Sequence, residues 1–246
     1  MNRKLIFTAI TILILLPAFA FAISGDEIVR RADAAATFDT AESSGEMHIT
    51  DRFGTKISSF DSWARGENES LIEFTSRAER GQKVLRTENE IYLYYPDAEE
   101  LIRMQGSALR QGMLGSDISY EDMTGGKDRA SQYSIEITDE QNLLGRDCWV
   151  LTLRANTRTV PYPKEIVWID KQDYIVLKGE YYTKSGRLLK DMEVLEIGEM
   201  DGITMAVETR ISDKMKSNSN TVLIMKDLKV DIKLDDEIFS LEELSW

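Results

Sequence analysis

The residues with chemical potential are few and scattered. The sequence contains one histidine, His48, set between Met47 and Ile49 in an alternating run. A lone imidazole cannot assemble a metal centre of ordinary ligand spacing, and no Ser-His-Asp order can be built around it, so His48 reads as structural. Cys148, in the apolar run CWVLTL, reads as a small buried hydrophobe, because nothing near it in sequence would lower its pKa. There is no G-x-S-x-G elbow, and Gly126-Lys127 lacks the upstream glycine and the following Ser or Thr of a phosphate loop. Glu121-Asp122 could serve acid-base chemistry or hold a hard cation. Adjacent residues on a helix do not face each other, however, and acids early in a short helix complement its dipole, which favours capping. Asp170-Lys171-Gln172-Asp173 reads as a hairpin turn. The chain is therefore expected to be non-enzymatic, with no catalytic residue, no metal and no cofactor.

What remains is apolar. Nine methionines follow Met1, and Trp63, Phe74, Trp149 and Trp168 fall within strand-like runs. Flexible thioethers suit a surface that must fit variable apolar partners, although methionine also fills gaps in ordinary cores. Alternation nominates Met47, Ile49, Trp63, Phe74, Leu93, Met205 and Val207 as lining an apolar cavity. The stretch from Met104 to Met123 breaks the strand order. Within it Leu109, Met113 and Leu114 share one face of a short helix, while Gly112 and Gly115 loosen its end. A closed core needs no such plug, so Leu109, Met113, Leu114 and Ile118 are expected to form a lid over the cavity.

The elements that must position these residues are mostly strands. Ser24 and Gly25 precede Asp26, and Ile28, Ala32 and Ala35 recur at helical spacing, which predicts a capped amphipathic helix over 25–36 across one end of a sheet. From Ser43 the period changes to two. EMHIT, KISSFDSWA, SLIEFTS, KVLRTE, EIYLYY and ELIRM read as strands separated by short turns, which leaves no room for crossover helices and implies antiparallel neighbours. After the lid, Thr124 to Ala130 is a polar connection. Strands resume with QYSIEIT, DCWVLTLRA, EIVWID, YIVLKGEYYTK, LLKDMEVLEI, ITMAVETRI and TVLIMKDLKV. DDEIFSLEEL is expected to staple the C-terminus down through Phe239 and Leu244.

Residues 1–22 combine a basic start, an apolar run from Leu5 to Leu16 and the small-x-small site Ala20-Phe21-Ala22, the pattern of a cleaved secretory signal peptide. No cysteine follows the apolar run, so no lipid anchor is expected at the new N-terminus. Residues 23–246 are read as one domain. Cleavage would remove Arg3 and Lys4, leaving 28 basic against 43 acidic residues and a net charge of -15. Such a surface repels phosphate backbones and anionic headgroups, so nucleic acid is excluded as a partner.

Gly115-Ser116-Asp117-Ile118-Ser119-Tyr120-Glu121-Asp122-Met123 resembles the G-S-D-x-S-Y-E-D stretch of outer-membrane lipoprotein-sorting proteins, the LolA/LolB-like periplasmic carriers. TFDTAESS, IYLYYPDAEELIRM, YPKEIVWIDKQDYIVLKGEYYTKSGRLLK and DDEIFSLEEL agree in order, so the resemblance spans nearly the whole mature chain. It implies a mainly β fold, a half-open antiparallel β-barrel with an N-terminal helix and a central helical lid, whose interior holds acyl chains. It further implies a soluble monomer in the periplasm that takes lipoproteins or a related lipid from an inner-membrane transporter to an outer-membrane acceptor. The absence of a lipobox cysteine separates the chain from LolB-like receptors. Two other readings stay open: an adaptor subunit of an envelope lipid-export complex, and a lipid hydrolase using Glu121 or Asp122.

Overall fold

A computed structural model describes residues 23–244 apart from 89, 125–128 and 159. The expected signal peptide and most of the polar connection after the lid lie outside the described residues.

Ser24 caps the first helix, α1 (Gly25–Ala35), by accepting from the Glu27 backbone N–H at 3.2 Å. Six strands follow: β1 (Thr40–Asp51), β2 (Gly54–Arg65), β3 (Glu69–Phe74), β4 (Lys83–Thr87), β5 (Glu90–Tyr95) and β6 (Glu100–Met104). Two 3-10 turns, Gly106–Arg110 and Met113–Gly115, and two short helices, α2 (Tyr120–Thr124) and α3 (Arg129–Gln132), make up the interruption. Seven more strands complete the sheet: β7 (Tyr133–Leu143), β8 (Arg146–Ala155), β9 (Lys164–Asp170), β10 (Val176–Tyr182), β11 (Leu188–Met200), β12 (Ile203–Asp213) and β13 (Asn220–Val230). Each alternating run named from the sequence is a strand.

All thirteen strands belong to one antiparallel sheet in the order β6-β5-β4-β3-β2-β1-β13-β12-β11-β10-β9-β8-β7, a half-open barrel. Two meanders are joined where the first strand pairs with the last, Met47 opposite Leu223. The free edges are β6 and β7, and residues 105–132 connect them.

The register assigns faces. Met47 pairs with Leu223, and Leu223 with Thr209; Ile49 pairs with Thr221, and Thr221 with Ile211, so these residues share the concave side. On β7–β9 the apolar stripe of α1, Ile28, Val29 and Ala32, packs on Leu151, Leu153, Val167 and Ile169. Behind β2–β5, the C-terminal 3-10 turn Asp236–Phe239 and helix α4 (Leu241–Leu244) bury Phe239 and Leu244 against Leu71 and Leu85, as the staple reading expects. Asp170 organises the predicted turn after β9, accepting from the backbone N–H groups of Gln172, Asp173 and Ile175 and from Arg146. Cys148 is fully buried, and burial pushes its thiol above the ordinary value.

Candidate functional site

The concave face of β1–β6 carries an apolar cluster of Met47, Ile49, Phe60, Phe74, Val84, Ile91, Leu93 and Met104. Phe60 and Phe74 face each other across β2 and β3, and Phe60 lies over Gly45 of β1. A Cβ on Gly45 would stand 2.6 Å from Phe60 Cζ, so glycine there is what lets the ring lie flat on the sheet.

The segment that breaks the strand order covers this cluster and completes it. Met113 and Tyr120 are buried in it, and Leu109, Leu114 and Ile118 pack against it. The segment is not the single amphipathic helix that apolar spacing predicts. Gly112 approaches the Ser116 carbonyl so closely that a Cβ would sit 1.9 Å from its oxygen, and Leu114 takes φ 52 before Gly115 at φ 81. Left-handed backbone at two successive residues cannot continue an α-helix, and the chain turns in 3-10 steps instead. Those turns still aim the same side chains at the sheet. Burying Met113 alone stabilises this packing by about 1.5 to 3 kcal/mol.

Of the residues nominated from sequence, Met47, Ile49, Phe74, Leu93, Leu109, Met113, Leu114 and Ile118 meet in this one cluster. Trp63 does not: it faces Glu42 and Leu71 across the ladder and packs with Phe239 and Leu244 on the opposite side of the sheet. Met205 and Val207 are half-buried on β12, where Met205 pairs with Gly198 and Val207 covers it, and they stand outside the cluster. Phe60, Val84, Ile91, Met104 and Tyr120 belong to the site without having been nominated; the same alternation that selected Phe74 and Leu93 could have found the first four.

Two polar anchors hold the cover to the sheet, and a third ties the helix after it to α1. Asp117, 2% exposed, accepts from Ser219 Oγ at 2.9 and 2.8 Å, from Thr221 Oγ1 at 3.2 Å and from the Asp213 backbone N–H at 3.3 Å. Lys216 Nζ stands 3.6 Å from the same carboxylate and donates to the carbonyls of Gly115 and Ser116. Asp122 accepts from the Ser119 N–H at 2.7 Å while Ser119 Oγ accepts from the Asp122 N–H at 3.3 Å, the reciprocal cap expected of an acid at this position. It also pairs with Lys190 of β11 and accepts from the Tyr162 hydroxyl at 2.5 Å. Burial, reinforced by the Asp122 charge, pushes the Tyr162 phenol far above its ordinary value. The third anchor joins α3 to α1: Arg129 donates to Asp33 at 2.9 Å and lies 3.8 Å from Glu165, whose carboxylate accepts from Tyr133 at 2.7 Å. Burial pushes the Glu165 carboxyl upward. Nothing local in the sequence pairs these partners, which lie up to 104 residues apart.

At the rim, a recess of about 320 Å³ opens between Ile49 and Leu114, with Phe53 beside it. Phe53 is 81% exposed. Among the described residues no helix is long and apolar enough to cross a membrane.

This half-open barrel, with its apolar concave face, is a fold shared with solved structures. The chain is similar over this whole architecture to a LolA superfamily protein from Nitrosomonas europaea (22% identity, TM-score 0.73, 90% of this chain and 100% of that one). It is likewise similar to a domain described as outer membrane lipoprotein-sorting from Vibrio parahaemolyticus (21% identity, TM-score 0.79, 90% and 98% covered). A DUF1329 family protein from Desulfovibrio piger matches at 25% identity and a TM-score of 0.81, covering 89% of this chain and 97% of that one. The chain belongs to the family described as "Uncharacterized protein", whose model matches residues 66–246. No curated protein matches it significantly.

Proposed function

We propose that this protein is a periplasmic carrier that binds the acyl chains of lipoproteins, or a related lipid, on the concave face of β1–β6 and shuttles them from the inner to the outer membrane. The reading rests on one observation: Leu109, Met113, Leu114 and Ile118 of the cover lie where an acyl chain would lie, against Met47, Ile49, Phe74 and Leu93. At about 0.8 kcal/mol per methylene, a sixteen-carbon chain gains on the order of 12 kcal/mol gross on burial, enough to displace such a plug. Uncovered, the same face would be an apolar patch larger than soluble monomers usually present. The activity is non-enzymatic. An inner-membrane transporter supplies the cargo, an outer-membrane acceptor receives it, and the carrier works as a monomer after loss of residues 1–22.

Organic extraction of protein purified from its own envelope, together with titration by a fluorescent fatty acid, tests this. Co-purified lipid and saturable binding are expected. Absence of both co-purified lipid and saturable binding sinks the proposal. The exposed Phe53 and Ile57 of the β1–β2 hairpin favour a second reading, an adaptor subunit of an export complex. Retention on an inner-membrane transporter without any lipid would select it.

A further inference from the structure

Arg86 of β4 lies on the same concave face as the apolar cluster. It pairs with Ile91 of β5 and Ser70 of β3, and Val84 and Ile91 beside it are 3% and 1% exposed. Its Nε and Nη2 atoms are buried and have no hydrogen-bond partner among the described residues. Those two nitrogens form the edge of the guanidinium that grips a carboxylate or phosphate with two parallel N–H···O bonds. Elsewhere carboxylates hold the guanidinium groups charged: Glu27 raises Arg31, Glu69 raises Arg65 and Asp173 raises Arg146. At Arg86 the direction is reversed by burial, and Glu67 acts on it only through space. Two buried, idle guanidinium donors are costly unless something completes them.

The neighbouring positions on this face are small on one side and apolar on the other. Continuing from Arg86 across the ladder, the positions are Ser70, Ala64 and Ala41, all small. Along the strands in the other direction the face becomes apolar, from Val84 and Ile72 to Phe74, Phe60, Met47 and Ile49 under the cover. From the row of Ala41 to that of Ile49 is about 26 Å of strand at 3.3 Å per residue.

We propose that Arg86 is the headgroup anchor of the carrier: it takes the carboxylate or phosphate monoester of an anionic amphiphile whose chain runs from Val84 toward Ile49. This rests on the carrier reading above and adds the class of ligand. The probes are palmitate, hexadecyl phosphate, hexadecanol and inorganic phosphate, titrated into the wild type, Arg86→Met and Arg86→Lys. The wild type should prefer either anionic amphiphile to the alcohol on the order of tenfold. Arg86→Met should bring that ratio close to one, and Arg86→Lys should leave an intermediate ratio, since it keeps the charge and loses the fork. Equal wild-type affinity for acid and alcohol overturns the anchor while leaving the carrier reading standing, and so does a preference that survives Arg86→Met. Inorganic phosphate binding as tightly as hexadecyl phosphate overturns it in favour of a free-anion site. If neither amphiphile nor alcohol binds, the carrier reading fails and the anchor fails with it.

Discussion

Thr221 of β13 and Asp117 of the cover are bound to each other twice: Thr221 Oγ1 accepts from the Asp117 backbone N–H at 2.9 Å and donates to its carboxylate at 3.2 Å. Thr221 is fully buried and pairs with Ile49, so the bond fixes the cover beside the apolar cluster. Thr221→Val keeps the shape and removes both hydrogen bonds, which should cost about 1 to 3 kcal/mol of local stability. Hydrogen exchange over residues 106–123 should quicken while β8 and β9 stay protected. Unchanged exchange in the cover would rule out Thr221 as its fastener.

Asp122→Asn should be more damaging. Lys190 is 8% exposed, and removing the charge of its partner leaves a buried ammonium uncompensated, a loss of about 3 kcal/mol. Urea unfolding should show a lowered midpoint. Tyr162→Phe, which removes only a hydroxyl from the same carboxylate, should lower it less. Equal midpoints for Asp122→Asn and the wild type would mean that the ion pair contributes nothing.

On the proposed carrier function, cargo entry would require the cover to leave the cluster. Cysteines at Asp117 and Ser219, whose side chains touch in the native form, should lock it down when oxidised. Fatty-acid uptake should be lost under oxidation and return with dithiothreitol, while Cys148, fully buried, stays out of the exchange. Full uptake by the oxidised protein would show that loading does not need this segment to move.

Alkali should loosen the same contact. Burial in the cluster pushes the Tyr120 phenol up to about 12 from its ordinary value near 10. Because the folded value is the higher one, the stability from Tyr120 is intact below about pH 10 and is lost as pH rises through 12. Tyrosinate absorbance and release of a bound fluorescent fatty acid should rise together in that window. Tyr120→Phe should remove its share of the effect; an unaltered release profile would assign it to other tyrosines.

Period-two alternation made the strands legible, and short turns made their hairpin neighbours legible. The pairing of β1 with β13 was not, because it joins residues such as Met47 and Leu223 that carry no local mark of each other. Faces were harder still. Trp63 alternates as cleanly as Phe74, yet the register turns it toward Phe239 and Leu244, and sequence alone does not say which side of a sheet a C-terminal staple will cover. The cover's apolar residues were visible, but its path was set by Gly112, Leu114 and Gly115, where glycine spacing signals a break without giving its geometry. The anchors at Asp117 and Asp122 depend on residues from distant strands, so capping was the only part of their role open to reading.

Because β6 and β7 are the two free edges and residues 105–132 run between them, the cover is a tether fastened at both ends rather than a door on one hinge. If the half-barrel carries cargo as proposed, spreading the edges for a thicker one would shorten the slack available to lift the cover, and drawing them together would restore it. On that reading the contour length of one connection would couple how wide the half-barrel opens to how far its plug withdraws, and lengthening that connection would change the size of cargo admitted without altering any residue that touches it.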